Sequence, residues 1–321
     1  MNIPKSQRKN NPLSMERYAK FLRKKLLFKK FHQEALVKSQ SAMEYLMTYG
    51  WSILIVAVVL GALSFLGVFN PLTFTPKASA GGCQVIKNTE LGISNLEGSC
   101  NNQIPIYAAS FNGNALVNVG NENTVDFGNG VTISAWIKIS ESTVNWYNIV
   151  YKGKWCGGQN TMFDSIVLGN GNNLGLCYAN NGPEPAVSLK QNTWYNIMYS
   201  ANSTAISFYL NGVHVFTQSG SFTANTNSAN MLIGSGDLGN AGIKNFVGLI
   251  SNVQVYNISL SNSSIKTLYA RGIGSTPVDL QNLIGWWPLN GDVNDYSGNN
   301  NNGVPTNVLY TSNWYNGYTQ P

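Results

Sequence analysis

The chain changes its hydrophobic rhythm once, near residue 70. From Trp51 to Phe69 it reads WSILIVAVVLGALSFLGVF, and no charged residue occurs between Tyr45 and Pro76. As a helix that run is roughly 28 Å long, close to the ~30 Å hydrocarbon core of a bilayer. Pro71 and Pro76 forbid its continuation. Tyr45, Tyr49 and Trp51 stand at its start, where an interfacial aromatic belt belongs. One membrane span is therefore expected. Further along, a period of two takes over. Val131, Ile133, Ala135, Ile137 and Ile139 alternate with Thr132, Ser134, Trp136 and Lys138, a strand with one apolar face. Ile206–Leu210 and Val213–Phe216 flank Asn211-Gly212, a strong hairpin signal, and Phe246–Tyr256 is another long strand candidate. Such strands, separated by turn residues, predict a mainly β chain built on an antiparallel sandwich.

Charge sets the orientation. The net charge is +6, but residues 1–39 hold eleven Lys/Arg against Glu16 and Glu34, a net of +9. The remainder holds nine bases against twelve acids, a net of −3. The basic segment should stay cytoplasmic and everything after about residue 70 should lie outside, giving a single-pass cell-membrane protein with an extracellular sandwich. A domain without a basic face of its own is not expected to bind nucleic acid. The four cysteines are Cys83, Cys100, Cys156 and Cys177. No CxxC spacing supports zinc, and an even number in an exported domain suggests disulfides. Three pairings are open, as are four free thiols. The sequential pairing, Cys83–Cys100 with Cys156–Cys177, is preferred, each bridge closing a loop of about 20 residues.

The stretch ahead of the helix, KSQSAMEYL (38–46), resembles the class III signal peptide of archaeal type IV pilin-like proteins. The resemblance implies a prepilin-type peptidase that cuts between Ser39 and Gln40 and leaves the apolar helix on the mature chain. Glu44 then becomes its fifth residue. A carboxylate at the bilayer edge is costly unless paired, and in that family its partner is the new N-terminal amine of a neighbouring subunit, here that of Gln40. Self-assembly through the N-terminal helix, into a surface filament, is thereby implied. The expected organisation is a basic leader (1–39), a pilin-like transmembrane helix (40–70), a linker (71–82), the sandwich (83–282) and a C-terminal segment (283–321).

SFNGNALVNVG (110–120), VTISAWIKI (131–139), NIVYKGK (148–154), NTWYNIMYSANSTAISFYLNGVHV (192–215), MLIGSG (231–236) and FVGLISNVQVYNISLSNSSIKTLYARG (246–272) follow in that order. Together they resemble a laminin-G-like, concanavalin A-type jelly roll. Ser251 stands where that family often has an Asp. LIGWWPLNGDVNDYSGNNNNGVPTNV (283–308) resembles the segment that opens such a domain, yet it follows the closing strand. It is expected to fold back onto the sandwich, because an unpaired edge carrying Trp286 and Trp287 would aggregate; the alternative is the start of a second, truncated domain.

Candidate chemistry is sparse. The only histidines are His32 and His214, and nothing resembles a Ser/His/Asp triad, an HExxH helix or a P-loop. Asp126, Asp164, Glu184, Asp237, Asp279, Asp292 and Asp295 are available, but no strand pattern sets two carboxylates on one face, as glycoside hydrolysis needs. A non-enzymatic role is expected, with a glycan or surface protein as ligand. Trp146, Trp155 and Tyr178 lie in or beside loops and are candidate stacking rings. Asp292 and Asp295, in GDVNDYSGN, are candidate calcium ligands without EF-hand spacing. Asn202, Asn257 and Asn262 head N-x-S/T sequons. The whole points to a pilin-like surface subunit or membrane-anchored adhesin presenting a lectin-like sandwich. Its rival is a membrane-tethered carbohydrate-active enzyme or receptor that does not polymerise.

Overall fold

The computed structural model describes residues 12–65, 77–78, 82–88, 90–101, 103–120, 129–141, 146–152, 165–169, 171–177, 187–220, 230–236 and 243–321. At Ser39, Gln40, Glu44 and Cys177 it describes the backbone alone. The chain divides into two units, Met1–Phe74 and Thr75–Pro321.

The first unit holds helix α1, Pro12–Phe65, of 54 residues. Leader and apolar run, expected as separate segments, form one unbroken helix across Ser39–Gln40. The cause is local: residues 13–49 contain no Pro or Gly and are rich in Lys, Leu, Ala and Glu, all good helix formers. Every side chain from Trp51 to Leu60 is exposed, Ile53 by 67% and Val58 by 62%. Among the described residues no helix is long and apolar enough to cross a membrane. The helical part of the apolar run, Trp51–Phe65, is about 22 Å long, and 66–69 lie outside the described residues.

The second unit opens with β1 (Lys77–Ala78), the hairpin β2 (Cys83–Asn88) and β3 (Ile93–Gly98), and β4 (Ile104–Pro105). There follow β5 (Ala108–Asn112), β6 (Leu116–Asn118), β7 (Gly130–Ile139), β8 (Trp146–Lys152), β9 (Ser165–Gly169), β10 (Asn173–Cys177), β11 (Trp194–Asn202), β12 (Ala205–Leu210), β13 (Val213–Ser219), β14 (Met231–Ile233), β15 (Ile243–Asn245) and β16 (Val247–Tyr256). After helix α2 (Asn262–Ala270) the chain adds β17 (Leu283–Trp287), β18 (Val304–Thr306) and β19 (Leu309–Thr311). The larger sheet runs β13-β12-β11-β7-β16-β5-β19, with β17 on the second half of β16. The smaller runs β10-β9-β8-β14-β6-β18, with β15 parallel to β8.

The five alternating residues of β7, from Val131 to Ile139, are fully buried between the sheets, with Ile197, Tyr199 and Phe208 beside them and Val117, Val150, Ile166, Leu168 and Ile233 in the same core. The opposite face of β7 is buried as well. Trp136 lies between Tyr269 of α2, stacked at 5.9 Å, and Tyr318, edge-on at 5.5 Å. Lys138 donates to the carbonyls of Trp314 (3.1 Å) and Asn316 (2.9 Å), and burial lowers its pKa. A second apolar cluster on this side joins Val85, Tyr256, Ile265, Leu268, Leu283 and Trp286. The Asn211-Gly212 turn has φ of 51° and 71°, the type I′ geometry that the hairpin of β12 and β13 requires.

Residues 283–311 supply strands to both sheets. Val253 pairs with Trp287, β18 edges the smaller sheet beside β6, and β19 edges the larger beside β5. Pro305, which lacks an N–H, sits on that edge. Trp287 enters the core and donates to Asn301 O (2.9 Å), while Trp286 faces the second cluster and donates to Asn252 Oδ1 (2.8 Å). A disulfide joins Cys83 to Cys100. Cys156 and the side chain of Cys177 lie outside the described residues.

Candidate functional site

The outward face of β8 is the candidate ligand surface. Tyr147 pairs with Leu168 and Val150 with Ile166, and both partners are core residues, so Tyr147 and Val150 face inward. Trp146 and Asn148 therefore face out. A bulge between Asn148 and Val150 shifts the alternation, so that Tyr151, opposite Leu232, also faces out. Gly169, next to inward Leu168, lies under the partly exposed indole of Trp146. A Cβ there would stand 3.2 Å from the ring. Beyond the indole the face turns polar. Asn148 is buried beside Asn245, its partner in the parallel ladder, and Ser235 Oγ donates to Asn245 Oδ1 at 2.6 Å. Gly236 lets the Asn148 amide approach, since a Cβ there would collide with Asn148 Nδ2. A partly exposed aromatic ring such as that of Trp146 can stack on one face of a sugar, whereas Asn148, Tyr151, Ser235 and Asn245 on the same face are buried.

Of the three candidate stacking rings, the structure places Trp146 on this face; Trp155 and Tyr178 lie outside the described residues. Asn148, Ser235, Asn245 and Tyr151 were missed by pattern reasoning. The bulge that sends Tyr151 outward leaves no mark in WYNIVYK.

Asp295 is a structural clasp. Its Oδ1 accepts from the backbone N–H of Trp286 (2.9 Å) and Ser297 (2.9 Å), and its Oδ2 from Ser297 Oγ (2.8 Å) and the N–H of Asn301 (2.9 Å). Asp292 accepts from Tyr296 Oη (2.8 Å) and from Asn294. Protein donors thus surround both candidate calcium ligands. Among the described residues no group of three or more His, Cys, Asp or Glu is placed to hold a metal. Asp279 is likewise engaged, by Asn282 (3.0 Å); Asp126, Asp164, Glu184 and Asp237 lie outside the described residues.

The sequons differ in environment. Asn262 is exposed at the start of α2, and Asn202 is half-buried in the turn between β11 and β12. Asn257 has its amide oxygen buried without a partner, and Ser259 of its sequon is bonded to Ser200 (2.8 Å). Ser251 donates to Pro288 O (3.2 Å), a structural contact between β16 and the turn after β17.

Residues 111–266 match the family model described as the concanavalin A-like lectin/glucanases superfamily. Among solved structures, a candidate carbohydrate binding protein from Bacteroides ovatus is 17% identical, covering 68% of this chain and 62% of its own, with a TM-score of 0.51. This chain thus spans less than two thirds of that protein. A SAP-like pentraxin from Limulus polyphemus is 17% identical over 64% of this chain and 96% of its own (TM-score 0.47). Domain 4 of an extracellular arabinanase from Geobacillus stearothermophilus, solved with arabinotriose, is 20% identical over 50% and 75% (TM-score 0.39). No curated protein matches. The family match and the Bacteroides structure support a concanavalin A-like jelly roll; at such identities the structural likeness is one of fold.

Proposed function

We propose that this chain is a non-enzymatic, membrane-anchored surface subunit whose sandwich binds glycans through the outward face of β8. The carrying observation is Trp146, a partly exposed indole backed by Gly169. A family described by its lectins and glucanases, and a fold neighbour described as a candidate carbohydrate binding protein, favour a sugar as ligand. Among the described residues, Asp279, Asp292 and Asp295 are each engaged in turns of their own, which favours binding over hydrolysis. Exposure of Trp51–Leu60 all round the helix favours a lipid or helical partner for that stretch. Together with KSQSAMEYL it supports pilin-like processing before Gln40 and assembly through Glu44.

Two experiments test this. A glycan array probed with the detergent-solubilised full chain should return binders that Trp146→Ala loses; an empty array overturns the ligand class. Mass spectrometry of the mature protein in membranes should find Gln40 at its N-terminus. Survival of the basic segment ahead of Gln40 would reduce the anchor to a simple signal anchor, which is the non-polymerising receptor.

A further inference from the structure

Helix α1 opens with a strongly basic stretch. Arg17, Arg23, Lys24, Lys25 and Lys29 are exposed on it, and no acid occurs between residues 17 and 33. Phe21, Leu22, Leu26, Leu27 and Phe28 stand among these cations, exposed by 44–75%. With about 100° of turn per residue, Phe28, Phe21, Leu22 and Leu26 fall within an arc of roughly 160°. Arg17, Arg23 and Lys24 lie on the other side, with Leu27 among them, and Lys25 and Lys29 fall inside the apolar arc.

This mixture selects the partner. A nucleic acid would meet the cations but leave the Phe and Leu side chains in water. A helical protein would cover the apolar arc but would hold Lys25 and Lys29 in its seam. A lipid surface accommodates both. The long stems of Lys25 and Lys29 lie along the acyl boundary while their ammonium groups rise to the phosphates. Clusters of about four to eight Lys/Arg on such a helix match anionic headgroups in charge.

The length of α1 sets the orientation. Trp51 follows Lys29 by 22 positions, about 33 Å of straight helix. Surface charge is screened within about 8 Å at physiological salt. Held upright on the apolar run, the cations would lose the headgroups, so the basic stretch has to lie along the surface. Gly50, the only Gly or Pro between residues 13 and 60, marks where α1 can turn.

We propose that residues 17–29 bind an anionic phospholipid surface, lying in its plane with the cations on the phosphates and Phe21, Leu22, Leu26 and Phe28 at the acyl boundary. The contact belongs to the chain that still carries its leader, and it depends neither on a cut before Gln40 nor on the glycan surface of β8. The test is trypsin cleavage, resolved site by site by mass spectrometry, of the full chain with residues 1–39 retained. The chain is held in detergent micelles doped with phosphatidylglycerol or with phosphatidylcholine. Cleavage after Arg23, Lys24, Lys25 and Lys29 should be at least about tenfold slower with phosphatidylglycerol, and about 1 M salt should abolish the difference. Lys190 and Lys266, exposed on the sandwich, should be cut alike in both and standardise the protease. Lys24→Gln with Lys25→Gln should reduce the protection at Arg23 and Lys29 at least about fivefold. Leu22→Ser with Leu26→Ser should weaken it with the charge intact. Equal cleavage of the wild type in the two lipids, or full protection in either double variant, overturns the proposal. So does stronger protection by a duplex oligonucleotide than by phosphatidylglycerol, which would make the stretch a nucleic-acid binder. These substitutions lie in Met1–Phe74, a unit separate from the sandwich. An empty glycan array alongside lipid-specific protection would therefore refute the sugar surface alone.

Discussion

Replacing Asp295 by Ala should destabilise the sandwich more than any other single change on its polar surface. The carboxylate collects three backbone N–H groups and one hydroxyl, all at 2.8–2.9 Å. Those donors lie on β17 and on the loop that leads to β18, so the side chain ties the loop to the sheet. Hydrogen bonds to a charged group contribute about 1.5–3 kcal/mol each, and a buried donor left unmet costs about 1–3 kcal/mol. Water reaches this half-buried site and replaces part of the loss. The net expectation is therefore about 3–5 kcal/mol. At about 2–4 °C per kcal/mol for a unit of this size, the melting temperature should fall by at least about 6 °C. Thermal unfolding followed by tryptophan fluorescence reads this directly, because Trp286 and Trp287 flank the clasp. Asp292→Ala, whose carboxylate meets only Tyr296 and Asn294, should cost about 1 kcal/mol. The wild-type transition should not move between EDTA and calcium, since protein donors already surround Asp295. A wild-type melt that drops in EDTA toward that of Asp295→Ala would make the carboxylate a metal ligand. A loss under about 0.5 kcal/mol in Asp295→Ala would refute the clasp altogether.

Further expectations follow from the same geometry. Cys83 and Cys100 are 17 residues apart; replacing both by Ala should cost about 3 kcal/mol, seen as a melting shift of about 6–12 °C that reduction of the wild type reproduces. An unchanged melt would deny the bridge its role. Burial pushes Tyr310 and Tyr318 up to about 12 and Tyr256 higher still, from an ordinary 10.0. The folded state thus holds their protons longer than the unfolded chain, and the stability they confer is complete below pH 10 and lost between pH 10 and 12. Lys138 acts in the opposite sense, since its lowered pKa adds stability as pH rises toward 10.5. Urea unfolding should show a decline above pH 10 that Tyr318→Phe reduces by about 2–3 kcal/mol at most; a flat profile to pH 11.5 would contradict it. If the chain is exported and glycosylated, mass spectrometry should find sugar on Asn262 and Asn202 ahead of Asn257, whose amide oxygen is buried; the reverse order would mean modification before folding.

The strands were legible because alternation is a local signal: Val131 to Ile139 and the Asn211-Gly212 turn announce themselves within a few residues. What covers the second face of β7 was not. Lys138 reads as a solvent position until the residues near Trp314 and Asn316 close over it, contacts more than 100 residues distant in sequence. Asp295 reads as a metal ligand in an Asn-rich turn; only the path of the chain shows that its neighbours aim their N–H groups at it. The Cys83–Cys100 pairing was among the options because its loop is short.

The most direct test of the glycan-binding claim is a pull-down of the solubilised full chain on an array-positive polysaccharide, with the wild type and Trp146→Ala side by side and the sugar sized afterwards. The β8 face as a binding surface predicts retention of the wild type, loss of Trp146→Ala and polysaccharide of unchanged length. Equal retention of both proteins, or a shortened polysaccharide, would contradict it, the first by moving the site elsewhere and the second by making the sandwich an enzyme.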